Sequence, residues 1–271
     1  MWQLFEPVHD VTYFCAEPRL AGNALGFRGF WMAYFAFRSA PLGPCDPAVV
    51  AATFYGFHES RVRRALPAAW SFATATDAIA ARQASAASAL NRIRQQADIA
   101  DEEVAPIAED LWEVSQRCSD YGRPLGAANR ALGRPADPVA RLWQAATTLR
   151  EHRGDGHIAV LVARGISPVE AHLLKSRSGE SDEPNLQSGR GWSEQEWTAA
   201  EECLTRAGLL HEGRLTDRGR REHDEVERAT DACALQPWVG LPEARLDRLR
   251  KRLERSPKQC STAESSRPST R

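Results

Sequence analysis

Residues 193–234 read SEQEWTAAEECLTRAGLLHEGRLTDRGRREHDEVERATDACA, and this stretch decides the fold. Ser193 is a helix N-cap residue, so a helix runs from there to the Gly208 region. HEGRLT, 211–216, is too short for anything but a tight hairpin, and TDRGRREHDEVERATDACA, 216–234, is a long amphipathic helix. Ser167-Pro168 opens an earlier helix to about Ser176. Helix, helix, small wing and helix is the order of a winged helix-turn-helix.

Working outward, helical periodicity dominates and alternating strand patterns are nearly absent. Gly29–Ala40 is a short, very apolar helix that should be buried, stopped by Pro41-Leu-Gly-Pro44. Asp46-Pro47 and Asp137-Pro138 are Asp-Pro helix starts. The first predicts one helix from Pro47 to about Leu66, and Thr76–Ala97 and Glu102–Ser119 read as two more. The fold class expected is all-α: two helical lobes, 1–135 and 136–240, resembling degenerate winged-helix units, the second carrying the β-hairpin wing. Residues 241–271 form a basic helix and a polar tail, Pro257–Arg271, that is too poor in apolar residues to fold.

The chain has 271 residues and a formal net charge of −1, so no overall field draws it to nucleic acid or anionic lipid. No run of about 18 apolar residues occurs, and MWQLFEPVHD lacks the layout of a signal peptide. A cytoplasmic, membrane-free protein is expected. The six cysteines have neither zinc-ligand spacing nor a C-x-x-C pair, and are expected to be reduced and mostly buried.

LREHRGDGH, 149–157, interrupts an apolar helical pattern with charge. Gly154 and Gly156 each cost about 1 kcal/mol inside a helix, which predicts a tight corner there. The segment has three readings. Arg150, Glu151, Arg153 and Asp155 can satisfy one another as a buried ion-pair network. Arg150 and Arg153, with free N–H groups at a glycine corner, can cradle a carboxylate or phosphate. His152, Asp155 and His157 can perform acid-base chemistry, or bind a metal with His9 as a further ligand; such donors suit Fe or Zn.

A second cluster is aromatic. Trp31, Tyr34, Phe35, Phe37, Phe54, Tyr55, Phe57 and Trp70 crowd one short stretch, with Arg38 and His58 among them. A plain core is one reading; a ligand pocket is the other, since buried tyrosine, histidine and arginine need partners. Tyr55 and His58, on one helix face, would hold a ligand oxygen. Asp231 is placed to tie back to an arginine of the other lobe, whereas Glu196, Glu201 and Glu202 read as a solvated helix face.

Shifting the sequence by about 139 residues lays Gly26–Ala40 over Gly165–Gly179, with Arg38-Ser39 on Arg177-Ser178. Either the winged-helix core is duplicated, or two alanine-rich helical stretches coincide by chance. A duplication would set His9 and Tyr13 opposite His152 and His157 across a pseudo-twofold axis, where ligand pockets commonly form.

RAGLL-x3-RLT-x2-GR, 206–220, resembles the stretch around the wing of MarR-type proteins. HDVTYF (9–14), RGFWMAYFAFRSAPLG (28–43), GRPLGAAN (122–129), LREHRGDGH, RGWSEQEW (190–197) and ERATD (227–231) together resemble the actinobacterial SalK-like family, often labelled helix-turn-helix proteins. The resemblance covers about Met1–Trp238 and implies a two-lobed helical protein, with a setting in specialised metabolism. DNA is a disfavoured client, because the helix before the wing carries four glutamates within 193–202. The expected function is binding, and enzymatic conversion, of a small molecule with an anionic and an apolar part between the lobes. Its ligand-binding residues would be His9, Tyr13, Trp31, Tyr34, Arg38, Tyr55, His58, Trp70, Arg150 and Arg153; its catalytic residues would be His152, Asp155 and His157. A ligand-responsive DNA-binding regulator is the alternative.

Overall fold

The computed structural model describes residues 1–255 and contains fourteen α-helices and a two-stranded hairpin among them. The tail assigned to 257–271 lies outside the described residues. The first half holds α1 (Trp2–Phe14), α2 (Ala16–Ala24), α3 (Gly29–Ser39), α4 (Pro47–Thr53), α5 (Glu59–Ala65), α6 (Ala75–Gln96), α7 (Asp101–Gln116) and α8 (Pro124–Arg130). Then come α9 (Pro138–Ala163), α10 (Pro168–Arg177), α11 (Glu183–Gln187), α12 (Glu194–Arg206), the hairpin β1 (Leu210–His211) and β2 (Arg214–Leu215), α13 (Asp217–Ala234) and α14 (Glu243–Arg255). The wing is antiparallel, with Leu210 opposite Leu215. The fold is all-α with a small β wing, as the sequence predicts.

Local chemistry sets most boundaries. Asp46, Asp137, Ser167, Ser193 and Thr216 each accept a backbone N–H at a helix start. At Ser167 and Ser193 a glutamate three residues on completes a capping box.

Two boundaries differ from expectation. Gly154 and Gly156 form no corner, because α9 runs unbroken for 26 residues. The sequence from Val139 to Leu149 is buried almost all round, with only Arg141 partly exposed, so tertiary packing sustains the helix through its glycines. Gly156 instead makes room: a Cβ there would collide with the Arg123 guanidinium, which donates to the His152 carbonyl. The helix expected over Pro47–Leu66 is two helices, α4 and α5, broken at Phe54–His58. Phe54 and Phe57 turn into the core at this break while Tyr55 reaches away.

Three apolar clusters organise the molecule. One joins α1, α6, α7, the first half of α9, and Leu249 and Leu253 of α14. A second gathers the aromatics of α3 and the α4–α5 region. The third is the wing unit, from Leu161 at the end of α9 through α10–α13. α9 therefore belongs to the first core at its start and the third at its end. The order α3, α4, α5, α6 recurs as α10, α11, α12, α13, with a 3-10 turn at Ala68–Ser71 where the second set has its hairpin. Among the described residues Cys45, Cys118, Cys203 and Cys233 are free, and of the described cysteines only Cys15 and Cys118 are buried, fewer than expected.

The two kinds of glycine on and beside α9 separate in a stability measurement. A Cβ at Gly126 would lie 2.9 Å from the Cα of His152, a backbone contact that cannot yield without moving α8. Gly126→Ala is expected to cost about 1–3 kcal/mol by overpacking. At Gly154 a Cβ meets only the Glu151 carboxylate at 3.8 Å. Gly154→Ala is expected to add about 0.5–1 kcal/mol from helix propensity. Urea unfolding of both variants checks the opposite signs.

Candidate functional site

The clusters meet around a cleft of about 1040 Å³. Its floor is the second half of α9, from Arg150 to Leu161; its walls are the start of α1, the α4–α5 break, α10 and α13. The helix that is buried almost all round at its start thus becomes charged where it leaves the core.

At the base, one carboxylate holds two guanidiniums. Glu151 is 2% exposed and accepts from Arg38 Nε and Nη2, both at 2.9 Å, and from Arg150 Nη1 at 2.8 Å. Arg38 also donates to the Tyr34 hydroxyl at 3.1 Å and lies over the Phe54 ring. Burial would raise the Glu151 pKa, but Arg150 and Arg38 outweigh it and hold the carboxyl well below its ordinary range. Two arginines on one glutamate leave a net positive charge at the base.

The rest of the ion-pair network departs from the sequence reading. Arg153 pairs with Glu227 and Asp231 of α13, both at 2.9 Å, and packs on Trp2. Asp231 thus ties to an arginine of α9, within the same 136–240 segment, rather than to one of the other lobe as expected. Asp155 accepts the Gly126 N–H at 2.8 Å and helps dock α8. Burial raises its pKa to about 6.

The histidines divide by the face of α9 they occupy. His157 lines the cleft. Its Nδ1 lies 2.9 Å from Thr230 Oγ1, whose own proton goes to the Val226 carbonyl. That chain makes Nδ1 the donor and leaves the Nε2 lone pair free. Burial, with Arg153 and Lys175 nearby, lowers the His157 pKa to about 4, so it is neutral at pH 7. His152 is 1% exposed on the α8 side, outside the cleft lining, and its Nε2 has no hydrogen-bond partner. His9 bridges Thr147 and Tyr13, with both ring nitrogens engaged. His9 and Tyr13 thus turn to Thr147 and Tyr34 rather than to His152 and His157. Among the described residues no group of three His, Cys, Asp or Glu side chains is placed to hold a metal. The His9, His152, Asp155 and His157 set proposed for Fe or Zn is dispersed: His9 lies on α1, His152 and Asp155 face α8, and His157 faces α13.

Trp31, Tyr34 and Trp70 pack in the aromatic core and do not line the cleft; Phe54, Tyr55 and Phe57 do. The shared face expected for Tyr55 and His58 is absent, because both lie in the break before α5. Tyr55 donates to the Ile166 carbonyl at 2.6 Å, and His58 meets Glu196 at 3.3 Å. Sequence reading missed Glu6, His172, Lys175, Arg190 and His223, all of which line the cleft. Nothing local marks them, since they come from four separate elements.

The wing unit is docked through the leading end of α12. Trp192 Nε1 and His172 Nε2 both donate to the Gly56 carbonyl, at 3.1 and 2.7 Å, and Arg61 donates to the Ser188 carbonyl. Glu196 and Glu201 are engaged with His58 and Arg177, so of the solvated face expected at Glu196, Glu201 and Glu202 only Glu202 is exposed. The first turn of α12 is thus tied to the α4–α5 region through Glu196, while Glu194, Gln195, Thr198, Ala199 and Glu202 are exposed.

The chain belongs to a helix-turn-helix family, whose model matches residues 1–266. No curated protein and no solved structure shows significant similarity to it. No helix among the described residues is long and apolar enough to cross a membrane.

Glu6 gives this site a pH signature. Its carboxyl lines the cleft with no hydrogen bond or ion pair among the described residues, and burial, then Asp10, raise its pKa to about 7. A raised carboxyl keeps its proton in the folded state while the unfolded chain releases it, so this contribution to stability falls as pH rises from about 4.5 to 7. Glu6→Gln should match the parent in urea unfolding at pH 4.5 and exceed it at pH 8. The gain expected is of order 1 kcal/mol, discounted for the solvent contact of a half-buried group.

Proposed function

We propose that this helix-turn-helix family member is a small-molecule-binding protein whose ligand occupies the cleft between the lobes. The carrying observation is the net positive charge at the base of that cleft, where Arg38 and Arg150 share one carboxylate, that of Glu151. Uncompensated buried charge is costly, and an anionic ligand group would neutralise it. Ile158, Leu161 and Leu174 on the same lining would receive an apolar body. The His157 Nε2 lone pair would serve as general base if the ligand is a substrate, with Thr230 rather than Asp155 fixing the ring. The resemblance to SalK-like proteins fits a cytoplasmic role in actinobacterial specialised metabolism.

The cleft-filling variant Ala171→Trp tests this. Protein isolated from its own host and extracted for mass spectrometry should yield a bound organic compound at near-stoichiometric level, and Ala171→Trp should lose it. An empty parent protein would count against the reading.

A second reading, a ligand-responsive DNA-binding regulator, rests on the family itself and on Arg214, Arg218 and Arg221. These are exposed on the wing and the start of α13, and form no ion pair among the described residues. They would contact phosphates rather than read bases. A gel shift against DNA upstream of the protein's own coding sequence discriminates. Little binding at moderate salt is expected; tight, salt-sensitive binding lost in the triple alanine variant would favour the regulator.

A further inference from the structure

Arg190 is held as few surface arginines are. Its guanidinium carbon sits 4.2 Å from the Phe57 ring centroid. Phe57 is 4% exposed and wedged against Trp31, Tyr34 and Phe35, so the ring cannot turn and the guanidinium lies on a fixed plate. The backbone is pinned as well, because the His58 N–H donates to the Arg190 carbonyl at 3.0 Å. Arg38 has the same arrangement on Phe54, but its N–H groups are consumed by Glu151 and Tyr34. Arg190 lines the cleft and has no acidic partner among the described residues.

Its electrostatic surroundings ask for an anion. Arg38, Arg190 and Arg150 together outweigh burial and lower the pKa of the Tyr34 hydroxyl, so three guanidiniums gather where Glu151 is the only carboxylate paired with them among the described residues. The charge of that anion is limited, because Glu6, Glu180, Glu227 and Asp231 also line the cleft and would repel a dianion. A guanidinium flat on a ring presents its donors in one plane, a match for the two oxygens of a carboxylate.

Resting on the cleft-ligand reading above, we infer that Arg190 captures the carboxylate of an organic monocarboxylic acid, whose hydrocarbon body lies along Ile158, Leu161 and Leu174. Arg190 is then the residue that selects the ligand by charge, and Phe57 is its support.

Isothermal titration of the whole chain with three probes of one hydrocarbon body tests this: 4-phenylbutyrate, 4-phenylbutyramide and 4-phenylbutylamine. The acid should bind, and the amide about 10-fold or more weaker, the scale of one charge-assisted pair. Arg190→Gln should weaken the acid by about the same factor and leave the amide unchanged, while Arg190→Lys, which keeps the charge and loses the fork, should fall between. Thermal unfolding of both variants checks that they are folded, and Ala171→Trp checks that binding is in the cleft. If the amide or amine binds as well as the acid, or if folded Arg190→Gln binds the acid like the parent, the inference about Arg190 is overturned and the cleft-ligand reading survives. If no probe of any charge binds the parent, both fall.

Discussion

The Glu151 carboxylate is the interaction on which the rest of the cleft depends. A carboxylate buried to 2% exposure is tolerable only if its charge is met, and it is met by Arg38 from α3 and Arg150 from its own helix. Arg38 arrives bidentate and stacked on Phe54, so the pair fixes more than one distance. It sets the angle of α3 against α9, and places the α4–α5 break at the wall of the cleft. With Phe57 locked in that break, Arg190 from the wing unit acquires its plate. Removing the Glu151 carboxylate would leave both guanidiniums without their partner, a far larger loss than the same change at an exposed pair such as Arg206–Glu202.

α9 distributes the remaining tasks by turn and by face. Its first half is core and carries no chemistry. Past Leu149, one face meets α8 through His152, Asp155 and the space left by Gly126; another meets α13 through Arg153 and His157; a third opens on the cleft. Gly126 and Gly156 belong to this scheme as spacers. The same helix end anchors the wing unit, which contacts the α4–α5 break through Trp192, His172 and Glu196. A winged-helix architecture is thus retained with its leading turn committed to an internal contact.

Much of the candidate site was legible as composition and little of it as geometry. LREHRGDGH stood out because charge inside an apolar period has to be accounted for. Arg150, Arg153, Asp155 and His157 do line the cleft, while His152 does not. A spacing of five residues between two histidines looked like a bend and a shared ligand set. On an unbroken helix it puts them on opposite sides. The aromatic stretch split in the same way: Trp31, Tyr34 and Trp70 became core, whereas Phe54, Tyr55 and Phe57 became wall, because the helix expected to carry them breaks between Phe54 and His58.

The sequence by itself determined the helical class, the capped starts at Asp46, Asp137, Ser167, Ser193 and Thr216, and the wing between α12 and α13. These are local matters: a side chain and a backbone N–H within three residues, or a turn that only a few residue types can make. Tertiary structure alone decided which charges meet and what the glycines of α9 are for. Arg38 and Glu151 stand 113 positions apart, and Arg153 and Glu227 stand 74 apart. No periodicity reaches across such distances. Partners of that kind are chosen by the cost of leaving a buried charge unmet, a cost that exists only once the helices have packed.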